Sequence, residues 1–484
     1  MSVSQEAHNT EDEPVQGASS SPFLLVPISL FFLLLTFAVL RSPSLVTQAG
    51  IGSAIIVATP LILATYALMA VVIAGRGTID LSVGPLIGFV NVTLIQLHGA
   101  GVLESPFAVF AYAIIVGAAY QFLFALIVIY VRVQPIIVSL SGYLALSGLN
   151  LVILPRPGGL APPWMSEWGL GTSIFSPVLL ILVLATLGWI LFTQSAFYTH
   201  LRLMGSDERA AYTSGVPITT VRIGAHLISG CFAGLAAIAF TALISSGDPS
   251  QGTTYTLIAV TALVLGGASL AGGRGGVFGS FLGATNLYLI TFVLATFNFG
   301  AVQSFVTDLA YGTILVGSLA LTLLIPVIQR WLRNFSPLLY FVALSVVVLG
   351  VILHATFDYQ RLDARNNIIV VAEVTAEQTE EVVVAPVIKA LPKIDNAALF
   401  VGPLEAAAPT AVEEQLRTKA LPLVFGVLIL IVIAVVLRIA LGQSSRKNIV
   451  PAIALVVLAL MLFSAYVINR SANAPDNASQ SEAR

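Results

Sequence analysis

The sequence predicts an all-α protein that threads a membrane many times. Three observations predict it. Of 484 residues, 57% are hydrophobic and only 9% are charged, with a mean hydropathy of +0.97; an ordinary soluble domain carries about 25% charged residues. The apolar residues gather into runs of about 20, the length a helix needs to cross the hydrocarbon. The arginines between those runs fall on alternate sides of the barrier.

The elements follow in order. Residues 1–21 are polar and acidic and lack the positive n-region of a secretory signal, so 22–40 is read as a retained anchor and first span. Spans are then expected at 52–74, 82–99, 106–131, 134–154, 175–193, 220–245, 256–272, 276–298 and 304–328, giving a core of about ten helices. Those at 82–99, 134–154 and 256–272 are rich in Gly, Ser or Pro and are candidates for broken helices. About three extra C-terminal helices are expected, at 337–354, 421–441 and 448–468. The chain thus divides into a cytoplasmic polar tail (1–21), a transmembrane core (22–333), an extra helix (334–354), a small extracytoplasmic segment (355–420), a two-helix stretch (421–468) and a polar tail (469–484).

Charge fixes the expected sidedness. With the N-terminus in the cytoplasm, the inner connections carry Arg76, Arg132, Arg202, Arg209, Arg222, Arg274, Arg330 and Arg333. The outer connections, up to the tenth span, carry only Arg41 and Arg156. This is the asymmetry of the positive-inside rule, and a wrong span count would scramble it. The net charge of −2 gives no electrostatic case for nucleic acid. The single cysteine, Cys231, excludes an intrachain disulfide, and no histidine pair has metalloprotease spacing. No nucleophile–base pair points to an enzyme.

Between the sixth and seventh spans, 194–222 is a polar island with a short helix of its own. Ser206 is placed to cap its start, and Asp207 and Glu208 put negative charge in the first turn. Gly215 suits the left-handed residue past its end, and Pro217 stops continuation. Two turns are marginal alone in water, so this surface helix is expected to dock on a separate protein.

Three other stretches break the apolar background. In Gly75–Gly84, Gly77 and Gly84 make the backbone permissive, and Asp80 is one of very few acids near a span. Asp80 either caps the helix that follows or marks a broken segment facing a polar cavity, and the two are compatible. In Leu154–Ser176, prolines flank Trp164 and Trp168, which suits an interfacial flap or a stiff loop with tryptophans at the headgroups. In Gly266–Gly279, the glycines include Gly266, Gly267, Gly272, Gly273 and Gly275, without the Gly-Lys-Ser/Thr ending that holds nucleotide. Close packing and a tight turn are expected there, and no ATP site.

Four motifs carry a resemblance. Gly77-Thr-Ile-Asp-Leu-Ser-Val-Gly84, Val133-Gln-Pro135, Gly205–Val216 and Val264–Gly275 resemble, in order, the signatures of the ribose/xylose-type ABC-transporter permeases. Nucleoside and branched-chain amino acid permeases are related to these. Arg76, Thr78 and Ala268 depart from the commonest pattern, and residues 334–484 have no counterpart in it. The resemblance implies an inner-membrane import permease paired as a homodimer or heterodimer. ATPase subunits would dock inside and a solute-binding protein outside. ATP and magnesium would be held by the ATPases, with no cofactor on this chain.

On that footing, Ser206, Asp207, Glu208, Arg209, Ala210, Tyr212 and Gly215 form the expected ATPase-coupling surface. Asp80, Ser82 and Asn91 are the candidates for the solute path, since a polar solute needs hydrogen bonds but little charge. Near-absence of charge in the spans argues against an ion-coupled carrier. Asp308 is expected as an interfacial cap, and His226 and Cys231 as packing residues. Three functions stay open: import of a sugar or similar polar solute, import of a nucleoside or branched-chain amino acid, and a non-transporting membrane anchor built on the same fold. Segment 355–420 would contact an envelope partner or serve as a spacer.

Overall fold

The computed structural model describes residues 21–75, 78–171, 173–297, 305–314 and 316. Every described regular element is helical. Most of the expected tenth span, the three C-terminal spans, segment 355–420 and both tails lie outside the described residues, as do Arg76 and Gly77.

The helices are α1 (Ser21–Arg41), α2 (Gln48–Ile73), α3 (Val83–Gly99), α4 (Pro106–Leu126), α5 (Pro135–Ile153), α6 (Pro163–Trp168), α7 (Pro177–Phe192), α8 (Ala196–Ser206), α9 (Glu208–Thr213), α10 (Ile218–Ile244), α11 (Gln251–Leu265) and α12 (Val277–Ala295). A π-helical turn, Ile127–Val131, extends α4 and ends at Arg132 in the left-handed region (φ 62°). Five of these helices are long and apolar enough to cross a membrane, or six if the bent α7–α8 pair is one span. Shorter apolar helices occupy the first, third and eighth expected spans.

Local chemistry sets the helix starts. Pro106, Pro135 and Pro177 each stand in the first turn, where a missing N–H costs nothing. Ser105 and Ser176 accept from the amides of Ala108 and Leu179 at 3.3 and 3.4 Å. Thr47 caps α2 by accepting from Gly50 at 3.1 Å.

The bundle is organised around α2. Every residue from Ala58 to Ile73 is buried, as an all-round apolar helix demands. α10 and α12 pack on it, and α4 lies across α10. The α4–α10 contact is backbone on backbone: a Cβ on Gly117 would stand 2.2 Å from the Gly230 carbonyl, and one on Gly234 2.3 Å from that of Ala113. Gly230-Cys-Phe-Ala-Gly234 is thus a small-xxx-small seam, a signal the sequence reading missed. The outward faces of α4 and α5 carry exposed Phe107, Ile115, Leu144 and Val152, as surfaces meeting lipid tails do.

Segments assigned to one side of the barrier meet in space. Gly158 pairs with Gly247 by two backbone hydrogen bonds of 3.0 and 2.9 Å, and Trp164 Nε1 donates to the Glu104 carbonyl at 3.0 Å. At the other end, Tyr198 Oη donates to the Gly275 carbonyl at 3.3 Å. The alternation read from the arginines is therefore internally coherent.

Two local expectations need correction. The eighth span runs Gln251–Leu265 rather than 256–272. Asp248 Oδ1 accepts from the amides of Ser250 and Gln251 and starts it early, while Gly267 (φ 84°) ends it. The polar island holds two helices rather than one. α8 precedes α9 and leaves α7 at 75°, with Ser195 accepting from the Tyr198 amide at 3.2 Å.

Candidate functional site

Between α2 and α3 the described residues, Ala74, Gly75 and 78–82, are non-helical. This segment starts at the end of the bundle that carries α9 and climbs inward. Its Asp80 reaches the level of His226, eight residues past Ile218, the first residue of α10. At 1.5 Å per residue that is about 12 Å from the helix start. α3, at 17 residues, spans only about 25 Å, so this non-helical stretch makes up the rest.

Irregular backbone at that depth must be satisfied by protein, and it is. The Leu81 amide donates to Ser139 Oγ of α5 at 2.5 Å. The Thr256 hydroxyl of α11 accepts from the Gly84 amide at 3.1 Å and donates to the Leu81 carbonyl at 2.9 Å. Asp80, 1% exposed, accepts through Oδ1 from the Ser82 amide (2.8 Å) and hydroxyl (2.5 Å). Its Oδ2 accepts from Nε2 of Gln121 on α4. Oε1 of Gln121 lies 2.8 Å from Nδ1 of His226 on α10. The Gln121 amide group faces a carboxylate, so its oxygen faces His226, and His226 carries its proton on Nδ1. The ring of Phe124 covers the imidazole, with centroids 4.8 Å apart.

Asp80 and Ser82 therefore belong to one buried cluster, and Asp80 acts as a cap in the Asx sense. Asn91 lies elsewhere. Its Nδ2 donates to Thr241 Oγ1 (2.9 Å) and the Ser246 carbonyl (3.0 Å), and its Oδ1 accepts from the Asp248 amide (2.9 Å). It clasps the α10–α11 turn to α3. Gln121, Ser139 and Thr256 were not singled out from the sequence, although a lone amide inside an apolar span is itself a signal. His226, expected as packing alone, also holds Gln121.

At the α9 end, the cap of α9 is Asp207, not Ser206. Asp207 Oδ1 accepts from the amides of Arg209 (2.9 Å) and Ala210 (3.1 Å). Ser206 is the last residue of α8, and its hydroxyl donates to the Arg202 carbonyl at 2.9 Å. The two helices share one junction: Ser206 is still inside α8 and closes its last turn, so the extended Asp207 that follows takes the cap of α9. α9 ends in a Schellman motif: Val216 N–H donates to the Ala211 carbonyl and Gly215 N–H to that of Tyr212, both at 3.0 Å, with Gly215 at φ 83°. Asp207, Arg209, Ala210 and Tyr212 (73% exposed) face outward, while Ala211 is buried against the body. Glu208 turns back and pairs with Arg222 of α10 at 3.0 Å.

The glycine-rich loop closes on the same place. A Cβ on Gly205 would stand 1.8 Å from the Ile73 carbonyl, and one on Gly272 would stand 2.3 Å from Gly75 Cα. The Gly273 amide donates to the Ile73 carbonyl at 3.0 Å, and Arg202 Nε donates to the Gly273 carbonyl at 3.3 Å. The end of α2, the end of α8 and the loop 266–276 thus form one junction without intervening side chains. Gly266 packs on Gly279, where its Cβ would stand 2.2 Å from the carbonyl. Gly275 lies against Ile73, and Gly84 against Gly252 and Thr256.

A helical bundle with five or six apolar helices of spanning length, and buried non-helical backbone ahead of α3, defines a polytopic membrane protein. The profile of the family described as branched-chain amino acid transport system / permease component matches residues 50–357, and the chain belongs to that family. The ribose import permease protein of Escherichia coli is 31% identical over 223 residues, 45% of this chain and 68% of that protein. The autoinducer 2 import system permease protein of Salmonella typhimurium is 24% identical over 249 residues, 50% of this chain and 74% of that one. The D-allose transport system permease protein of Escherichia coli is 26% identical over 264 residues, 53% of this chain and 77% of that one. No solved structure matches the chain.

Proposed function

We propose that this chain is the membrane-spanning subunit of an ABC importer, moving a sugar or similar polar solute. A solute-binding protein delivers the solute outside, and separate ATPase subunits dock on α9 inside. The permease works as a pair, in the cytoplasmic membrane, with its N-terminus in the cytoplasm. Support for the solute class comes from the relatives, whose names give ribose, autoinducer 2 and D-allose. The family's description favours a branched-chain amino acid as the second reading.

The observation that supports the transport mechanism is the outward face of α9, a two-turn surface helix held rigid by its caps and by Ala211 while Asp207, Arg209, Ala210 and Tyr212 stay exposed. Asp207, Arg209, Ala210 and Tyr212 offer charge, a small site for close approach and an aromatic anchor. ATP acts by favouring one arrangement of the docked ATPases, and a ligand shifts an equilibrium only through such a preference. The glycine junction passes that shift to the Ala74–Ser82 segment, where Asp80 and Ser82 line the start of α3.

The test is reconstitution with the ATPase and binding protein. Glu208→Arg and Ala210→Trp leave the chain in the membrane but separate ATP hydrolysis from uptake. Normal uptake by either variant would remove the docking assignment. A cysteine at Asp207, with Cys231 replaced by Ser, reacts from the cytoplasmic face only. Ligand screening of the binding protein names the solute. Removal of 355–484 tests the extension: unchanged affinity and rate would make it a spacer.

A further inference from the structure

We propose that Gln121 and His226 are positioning residues that hold the Asp80 segment in register with the Glu208–Arg222 pair. A displacement of α9 is then felt at the first turn of α3 through these side chains and the α10 turn that joins them, as well as through the glycine junction. The proposal deepens the permease reading, resting on it for its purpose but not for its physical content.

The contacts form two runs, Glu208–Arg222 and His226–Gln121–Asp80–Ser82, joined by one turn of the α10 backbone. Glu208 pairs with Arg222 at 3.0 Å. Arg222 and His226 stand one turn apart on α10, on the same face. His226 donates to Gln121, Gln121 donates to Asp80, and Asp80 holds the amide and hydroxyl of Ser82. Asp80, Gln121 and His226 are each no more than 1% exposed.

Each member fixes the next. While Asp80 is ionised it is an acceptor only, so the Gln121 amide cannot turn over without aiming its oxygen at the carboxylate. Its oxygen in turn requires a proton on His226 Nδ1. Reversing any bond leaves two buried groups unpaired, each costly where water is excluded. With Asp80 ionised, the cluster therefore has one hydrogen-bond arrangement. Spatial intermediacy alone does not prove coupling, so the deciding variant must lie far from Asp80.

Hydrogen–deuterium exchange of the purified full chain in nanodiscs tests this without solute or ATPase. Four variants are compared: Gln121→Leu, His226→Leu, His226→Asn, whose amide can replace the Nδ1 donor, and Glu208→Ala. Peptides over 81–88 report the first turn of α3, and peptides from α12 report global integrity. Gln121→Leu, His226→Leu and Glu208→Ala are expected to speed exchange over 81–88 at least fivefold, with α12 unchanged and His226→Asn close to wild type. Glu208→Ala within twofold of wild type would overturn the proposal, as would His226→Asn exchanging as fast as His226→Leu. Should the leucine variants not fold, Glu208→Ala and His226→Asn still decide it. Failure of transport in reconstitution, with this exchange pattern intact, would instead count against the permease reading.

Discussion

The Glu208 carboxylate lies 3.0 Å from the Arg222 guanidinium and binds the first turn of α9 to the second turn of α10. Their side chains are 28% and 13% exposed, so the pair is partly shielded. A double-mutant cycle with Glu208→Gln and Arg222→Gln should give a coupling of about 1 kcal/mol, the upper end for an accessible ion pair. Denaturant unfolding in micelles reads it, and 1 M salt should lower it. A coupling indistinguishable from zero would mean that α9 is held by Ala211 and Val216 alone.

The glycine junction predicts a sharp contrast. Gly205→Ala and Gly272→Ala each drive a methyl into backbone, at 1.8 and 2.3 Å, and each should cost about 3 kcal/mol or more. Gly188, within α7, has open space around its absent Cβ. Gly188→Ala should be neutral or stabilise by a few tenths of a kcal/mol through helix propensity. Yield of folded protein after detergent extraction, followed by thermal unfolding, separates the two groups.

Gly215 isolates a conformational cost from a steric one. Its φ is 83°, yet nothing lies near a Cβ built on it. Gly215→Ala should therefore lose about 1 kcal/mol from the left-handed backbone alone, and Gly215→Asn less, since asparagine visits that region more readily. Equal losses for both in thermal unfolding would show that the Schellman turn rearranges.

Asp80 predicts a change in proton placement. In Asp80→Asn, keeping the amide oxygen on the Ser82 donors turns the new NH2 toward Gln121, which must then turn over. The Gln121 NH2 then points at His226, whose Nδ1 must become an acceptor. The variant should lose less than about 1.5 kcal/mol while moving the His226 proton to Nε2. Imidazole 15N shifts of labelled protein in nanodiscs report the tautomer directly. Asp80→Ala offers no such escape and should cost about 2–4 kcal/mol by stranding Gln121 and the Ser82 amide.

Much of the bundle was legible in the sequence because lipid imposes a length on each apolar run. The first nine expected spans each coincide with a helix. The end of α9 was legible too, since Gly215 and Pro217 have local roles. Its beginning was not. Ser206 and Asp207 are both good caps, and the choice between them depends on α8, whose mixed composition gave no apolar run to find. Gln121, Ser139 and Thr256 escaped notice because each serves a backbone group or carboxylate distant in sequence. Asp80 was picked out as an isolated acid, but nothing in the chain's order announces which amide comes to meet it.

One consequence follows for anyone wishing to retune this permease. Where α2, α8 and the loop 266–276 meet, main chain rests directly on main chain, so no rotamer can yield and absorb a push. Under the proposed coupling, motion delivered there would pass on undiminished, and slack introduced by mutation would not be repaired nearby. On the solute path proposed above, altered selectivity is expected from side chains beyond Ser82, along α3 and its neighbours, with that rigid knuckle left untouched.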